Sequence, residues 1–118
     1  MDLSLELEAH DVLTVHLCEG VEETTVAVRP SRAGAESLLR ALDEALTDGY
    51  GECFWPSQPG GQYWWIFKRT GDTMEVVAMW TRGGASGWEH TFRATDAAHW
   101  VEERLTSELD RLGLRAAS

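Results

Sequence analysis

The chain has 118 residues, the length of one ordinary domain. Hydrophobic residues make up 43% and charged residues 25%, which is typical of a folded globular protein and not of a disordered chain. Acidic residues outnumber basic ones by 20 to 10, so the net charge is −10. A field of this sign repels nucleic-acid phosphates and anionic lipids, and the longest apolar run, residues 63–67, is far too short to span a membrane. The composition therefore argues against nucleic-acid binding and against a membrane protein.

The two cysteines and the N-terminal sequence indicate a compartment. The first residues show neither the basic segment nor the apolar segment of a secretion signal. Cys18 and Cys53 are too few for a disulfide framework. We therefore expect a cytoplasmic protein in which both cysteines are free thiols, placed as small residues of the core.

The first part of the chain predicts three short strands and a helix. Apolar and polar residues alternate over residues 3–8, 13–18 and 24–29, the period of half-buried strands, and the short connections favour an antiparallel meander. Pro30 ends the third strand and Ser31 is the predicted N-cap of the helix. One apolar stripe follows at helical spacing, formed by Ala35, Leu38, Leu39, Leu42, Ala45 and Leu46. Gly49 is the predicted C′ residue that ends this helix.

The second part begins with an irregular segment. Residues 52–55 are predicted as a short edge strand at most, because the prolines and glycines of residues 56–61 are typical of a loop. Strands are predicted over residues 63–69 and 73–82, and a further strand carries Trp88, His90 and Phe92 on one face.

The last predicted element is a helix that Thr95 caps and Gly113 ends. Its single apolar stripe is formed by Ala98, Val101, Leu105, Leu109 and Leu112.

The order β-β-β-α-β-β-β-α predicts an α+β fold. Residues 1–113 form a single domain in this prediction, and residues 114–118 form a frayed tail. Because each helix has only one apolar stripe, both helices should cover one face of an antiparallel sheet of about six strands, in a two-layer sandwich. The other face of the sheet is then free of helices.

Tryptophan is the unusual feature of the composition, with six residues in the chain. Trp64 and Trp65 are neighbours on one predicted strand and point to opposite faces, so one of them lies on the helix-free side. Exposed aromatic residues are the types that anchor interfaces. The predicted binding residues are those of the aromatic and acidic segment around the proline-rich loop, namely Tyr50, Glu52, Trp55, Tyr63 and Trp64. Trp55 is the expected anchor and Glu52 the expected source of electrostatic steering.

Patterns for catalysis and metal binding are weak. His16 and Cys18 share one strand face, as zinc ligands do, but the sequence lacks a second closely spaced pair. Cys53 and Ser86 are nucleophile types for which the sequence shows no orienting base. We therefore predict no catalytic residue, no metal ligand and no cofactor.

The segment from Leu38 to Leu112, which includes "GYGECFWP" and "GGQYWWIFKRTGD", resembles in its layout the immunity proteins that accompany WapI-type polymorphic toxins. The similar features are a strand meander, a helix, strands around a glycine turn and a closing helix after an F-x-x-x-D step, here Phe92 to Asp96. The resemblance implies a small acidic cytoplasmic protein that binds and blocks a toxin domain without catalysis.

Three functional hypotheses follow from the sequence. The first is a protein-binding module for a basic partner, in its most concrete form an immunity-like inhibitor. The second is a small-ligand binder that uses a face of the sheet lined by Trp and Tyr. The third is a thiol- or metal-dependent enzyme.

Overall fold

A computed structural model describes residues 1–9, 12–29, 32–56, 61–82 and 87–114. These residues form an α+β structure with seven strands and two helices. The elements in chain order are β1 (Asp2–Ala9), β2 (Val12–Glu19), β3 (Glu22–Val28), α1 (Arg32–Asp48), β4 (Tyr50–Pro56), β5 (Gln62–Thr70), β6 (Thr73–Thr81), β7 (Glu89–Ala97) and α2 (Ala98–Arg111). Within the described ranges, neither helix is long and apolar enough to cross a membrane.

The strands form two antiparallel sheets and not one. The first sheet has the order β1-β2-β3 and the second has the order β4-β5-β6-β7. The α+β class and the antiparallel pairing are confirmed, and residues 52–55 do belong to an edge strand. The single sheet of about six strands is wrong, because alternation shows which face of a strand is buried but not which strand is its neighbour.

The last strand of the first sheet, β3, lies across one end of the second sheet. The Thr24 hydroxyl donates to the carbonyl oxygen of Thr91 in β7 at 3.4 Å. The backbone N–H of Arg29, next to the end of β3, donates to the carbonyl oxygen of Pro56 in β4 at 3.2 Å. The path of β3 thus runs from one edge strand of the second sheet to the other.

One hydrophobic core joins the two sheets and the two helices. Helix α1 packs on β4 and β5, while α2 packs on β1, β6 and β7 and also contacts α1. The apolar stripes of both helices enter this core, as predicted, and both helices contact the second sheet, but α2 also contacts β1 of the first sheet. Leu46, at the end of the first stripe, is only half-buried.

Helix α1 approaches β4 closely because two glycines make room. A Cβ atom at Gly51 would lie 1.8 Å from the carbonyl oxygen of Ala41 in α1. A Cβ atom at Gly34 would lie 2.5 Å from the ring of Trp55. Gly34 is unfavourable within a helix, and its packing against Trp55 explains why glycine stands there.

The free edge of β1 is covered by side chains of α2. The buried Glu108 carboxylate accepts a hydrogen bond from the Leu5 backbone N–H at 3.3 Å. Arg104 donates to the carbonyl oxygen of Leu3 at 2.7 Å, and Arg111 donates to that of Leu5. These contacts satisfy backbone groups that would otherwise be open to pairing with another strand.

The start of α2 differs from the prediction. Thr95 belongs to β7, and α2 begins at Ala98 with no side-chain cap; the Ala98 N–H donates instead to the carbonyl oxygen of Asp72 at 2.8 Å. Asp96 accepts from the Ala97 N–H at 2.7 Å and from the Met1 ammonium at 3.0 Å, and these contacts lower the pKa of its carboxyl group.

The helix ends agree with the sequence. Gly49 and Gly113 both have a positive φ, of 93° and 70°, as expected for residues that follow a helix. Leu114, which the sequence places in the tail, is buried and donates its N–H to the carbonyl oxygen of Leu109. The predicted cap Ser31, the loop over residues 57–60, the candidate nucleophile Ser86 and the rest of the tail lie outside the described residues.

Candidate functional site

The candidate site lies on the face of the second sheet that points away from the core, which we call the outer face. Along β4 the buried residues Gly51, Cys53 and Trp55 alternate with exposed ones, so that Glu52 and Phe54 point outward. The strand register places Phe54 opposite Trp64. The outer face therefore combines aromatic side chains from at least two neighbouring strands.

Three rings form a cluster on this face, which we call the aromatic cluster: Phe54, Trp64 and Trp88. The centroids of Phe54 and Trp64 are 5.8 Å apart, with planes inclined by only 19°. Trp88 lies 5.9 Å from Phe54 and 5.3 Å from Trp64, with its ring tilted against both. Since β6 separates β5 from β7 in the sheet, the Trp88 ring reaches across β6 to join the other two.

A β-bulge accounts for the outward direction of Trp88. The register between β6 and β7 shifts by one residue between the pairs Ala78–Phe92 and Met79–His90. Phe92 is fully buried, whereas His90 is exposed. The prediction that Trp88, His90 and Phe92 share one face is therefore wrong, because the bulge reverses the alternation before Phe92.

The aromatic cluster is only partly covered. Phe54 is 47% exposed and Trp88 is 37% exposed, whereas Ile66 and Val77, on the same outer face, are buried. The larger side chains of this face thus cover Ile66 and Val77, while the rings of Phe54 and Trp88 stay in contact with solvent. An exposed group of large aromatic side chains is typical of a contact surface.

Glu52 lies beside the cluster and is held by two hydrogen bonds. Its Oε2 atom accepts from the Tyr50 hydroxyl at 2.7 Å and from the Trp64 indole N–H at 2.8 Å. The bond to Glu52, followed by partial burial, raises the pKa of Tyr50 above its usual value, so that the phenol keeps its proton. The carboxylate is therefore positioned at the surface before any partner arrives.

The structure separates the five predicted binding residues into two groups. Tyr50, Glu52 and Trp64 come together on the outer face. Trp55 is only 1% exposed, and its indole N–H donates to the carbonyl oxygen of Arg29 at 2.7 Å. Trp55 is thus a core residue of β4 and not an exposed loop anchor, which corrects the expectation.

Tyr63 also lies on the inner side. It pairs with Trp55 in the register and packs against the core. Burial raises the pKa of its hydroxyl group, although a hydrogen bond with the backbone of Ala27 lowers it. Tyr63 therefore links the second sheet to β3 and does not contribute to the outer face.

Sequence reasoning missed two members of the aromatic cluster. Phe54 could have been found by extending the alternation of β4 back to Tyr50, which places Glu52 and Phe54 on one face. The outward direction of Trp88 could not be predicted, because the bulge in β7 leaves no pattern in the alternation of apolar and polar residues.

The other chemical candidates do not assemble into a site. His16 has Glu6 as a neighbour, with 3.5 Å between its Nε2 atom and the carboxylate. Among the described residues, no group of three or more metal-ligating side chains is close enough to hold an ion. Burial raises the pKa of Cys53 to about 12, so its thiol is protonated and a poor nucleophile at neutral pH.

Comparison of the chain with protein-family models, with curated proteins and with solved structures found no match. The protein is therefore described by its own structure, as a two-sheet α+β domain with an aromatic cluster on the helix-free face of the second sheet. The resemblance to immunity proteins of WapI-type toxins stays a prediction.

Proposed function

We propose that this protein is a binding module that docks a basic protein partner on its outer face. The observation that carries the proposal is the aromatic cluster, in which Phe54 and Trp88 keep over a third of their surface exposed beside the fixed carboxylate of Glu52. Tryptophan is one of the residue types that dominate binding energy at protein interfaces, where it sits at the centre of the contact.

The rigidity of the outer face favours binding without a large ordering cost. Phe54, Trp64 and Trp88 restrain one another through ring contacts, and Trp64 is further fixed by its hydrogen bond to Glu52. Side chains that are already held in place lose little conformational entropy when a partner docks.

The charge of the chain selects the kind of partner. A net charge of −10 attracts basic proteins and repels acidic ones, which speeds encounter at low salt. Together with the resemblance in layout, this supports an immunity-like inhibitor that acts in the cytoplasm by covering a basic toxin or effector domain.

One observation favours the alternative of a small planar ligand. The rings of Phe54 and Trp64 are nearly parallel and stacked, and a sugar or a heterocycle can extend this stack on the exposed surface of Phe54. A ligand of this kind would change the fluorescence of Trp64 in the purified protein at micromolar to millimolar concentration, with no protein partner present.

Site-specific photo-cross-linking tests the docking proposal. A benzophenone side chain is placed at Phe54 and, as the matched control, at Val21, a fully exposed residue in the turn between β2 and β3. We expect the Phe54 position to cross-link a basic protein in the source cells, and the purified partner to bind the unmodified chain directly and in a salt-sensitive way. Equal cross-linking from both positions, or a partner that is not basic, would contradict the proposal.

A further inference from the structure

We propose that the outer face receives one arginine side chain of the partner, with its guanidinium group against the rings of Phe54 and Trp64 and bonded to Glu52. This inference rests on the proposed function and specifies the chemistry of the contact.

The Glu52 carboxylate lies next to the rings of Phe54 and Trp64. Glu52 and Phe54 are two residues apart on β4 and share its exposed face, and Trp64 lies directly opposite Phe54. The Trp64 indole is 2.8 Å from Oε2 of Glu52. A planar cation that covers these rings is therefore adjacent to a carboxylate.

One carboxylate oxygen of Glu52 is left for a ligand. Both hydrogen bonds to its side chain, from Tyr50 and from Trp64, end on Oε2. Within the described part of the chain, no hydrogen bond to Oε1 occurs. A guanidinium N–H can therefore bond to Oε1 without displacing the contacts that hold the side chain.

The charge of Glu52 is not neutralised by a neighbouring cation among the described residues. Glu75, the acidic residue of β6 on the same face, forms an ion pair with Arg93 at 2.7 Å. Glu52 forms no ion pair with any described residue, and the exposed Lys68 of β5 is not within 4.0 Å of its carboxylate. Glu52 is thus the carboxylate of this face that a cation from outside can complement.

Arginine fits this arrangement better than lysine. The guanidinium group is flat, stacks on aromatic faces and donates from several N–H groups in its plane, whereas an ammonium group is a compact and strongly hydrated charge. The rings of Phe54 and Trp64 are stacked, with planes inclined by 19°, and a flat guanidinium group can extend this stack on the exposed surface of Phe54.

The test is an NMR titration of the purified protein with N-acetyl-arginine methylamide, followed through the indole N–H signals of Trp64 and Trp88. We expect saturable shifts of both signals with a dissociation constant on the order of 1–10 mM. The corresponding lysine and citrulline derivatives should bind at least about fivefold more weakly, because neither combines a planar shape with a positive charge.

Two glutamate variants form the matched pair for this titration. Glu52→Gln keeps an acceptor for Tyr50 and Trp64 but removes the charge, and it should weaken arginine binding at least about tenfold. Glu75→Gln makes the same change on the same face, where Arg93 already pairs with the negative charge, and should leave the affinity within about twofold. A Phe54→Leu variant, which keeps apolar volume but loses the ring, should also bind more weakly.

Three results would overturn the inference: no saturable shift of either indole signal, equal affinity for the arginine and lysine derivatives, or equal affinity of the Glu52→Gln and Glu75→Gln variants. Its failure is distinguishable from failure of the proposed function. If the cross-linked partner loses affinity for a Phe54 variant but binds Glu52→Gln as tightly as the unmodified chain, the docking surface stands and the arginine contact is wrong.

Discussion

At the scale of single residues, neighbours on β4 have opposite roles. Trp55 fills the space beside Gly34 in the core, whereas Phe54 lies at the surface beside Trp64 and Trp88. The difference follows from the strand alternation and not from residue type, since both side chains are large and aromatic.

Truncation of these two side chains should separate stability from binding. Trp55→Ala leaves a large cavity and removes a partly buried hydrogen bond to the carbonyl oxygen of Arg29, so we expect a loss of about 3–5 kcal/mol in the free energy of unfolding. Phe54→Ala should lose less than about 1 kcal/mol, because the ring is half exposed. Urea denaturation of both variants measures this, and similar losses would show that the assignment of inner and outer faces is incorrect.

The two thiols should differ in reactivity. Burial raises the pKa of Cys53 to about 12, and Cys18 is only half-buried. In a Cys18→Ser variant at pH 8, we expect Cys53 to react with a disulfide reagent only as fast as the protein unfolds, and rapidly in denaturant. Fast labelling of the folded variant would contradict the burial of Cys53.

The same pKa sets a dependence of stability on pH. The thiol of Cys53 ionises near 9 when exposed and near 12 in the folded chain, so the unfolded state loses its proton first. The contribution of the protonated Cys53 thiol to the free energy of unfolding is fully present below pH 9 and is lost progressively as the pH rises towards 12. A Cys53→Ala variant should therefore show a smaller fall in stability over this range than the parent chain, measured by denaturation at each pH.

At the scale of elements, the close contact of α1 with β4 depends on Gly51. Alanine there would put a Cβ atom 1.8 Å from the backbone carbonyl oxygen of Ala41, which cannot turn aside as a flexible side chain can. We expect Gly51→Ala to cost about 3 kcal/mol. Gly20→Ala is the control, since it meets nothing within 4 Å and bears only the cost of its positive φ, about 1 kcal/mol. Equal thermal stability of the two variants would contradict the helix placement.

The same elements show how much of the fold could be predicted from the sequence. Alternation located β1, β2 and β3, and the helical stripes located α1 and α2 within a few residues, because these periods depend only on which face is buried. The partition into two sheets could not be predicted, since it depends on the path of β3 across the second sheet. The bulge before Phe92, which turns Trp88 outward, is a property of strand pairing and likewise leaves no local pattern.

The candidate site was predicted in part for the same reason. Composition and residue type predict Tyr50, Glu52 and Trp64, whereas Pro56, which is typical of a loop, leads to the prediction that Trp55 lies at the surface. In the structure β4 extends through Pro56, so the strand alternation continues and turns Trp55 inward.

At the scale of the whole molecule, a single core connects elements from both halves of the chain. Leu42 of α1 and Leu105 of α2 are both buried in it. We expect Leu42→Ala and Leu105→Ala each to lower the free energy of unfolding by about 2–5 kcal/mol, with one cooperative transition in each case. A loss below about 1 kcal/mol for either variant, measured by chemical denaturation, would mean that its helix is peripheral to the core.

We propose the outer face of the second sheet as the docking surface for a basic protein. Its most direct test is the dissociation constant of the purified partner for Phe54→Ser and for Val21→Ser, each compared with the unmodified chain by calorimetric titration. We expect Phe54→Ser to weaken binding by about 2 kcal/mol, roughly thirtyfold, and Val21→Ser to leave it unchanged. Unchanged binding by Phe54→Ser, with its fold intact, would show that the outer face is not the docking surface.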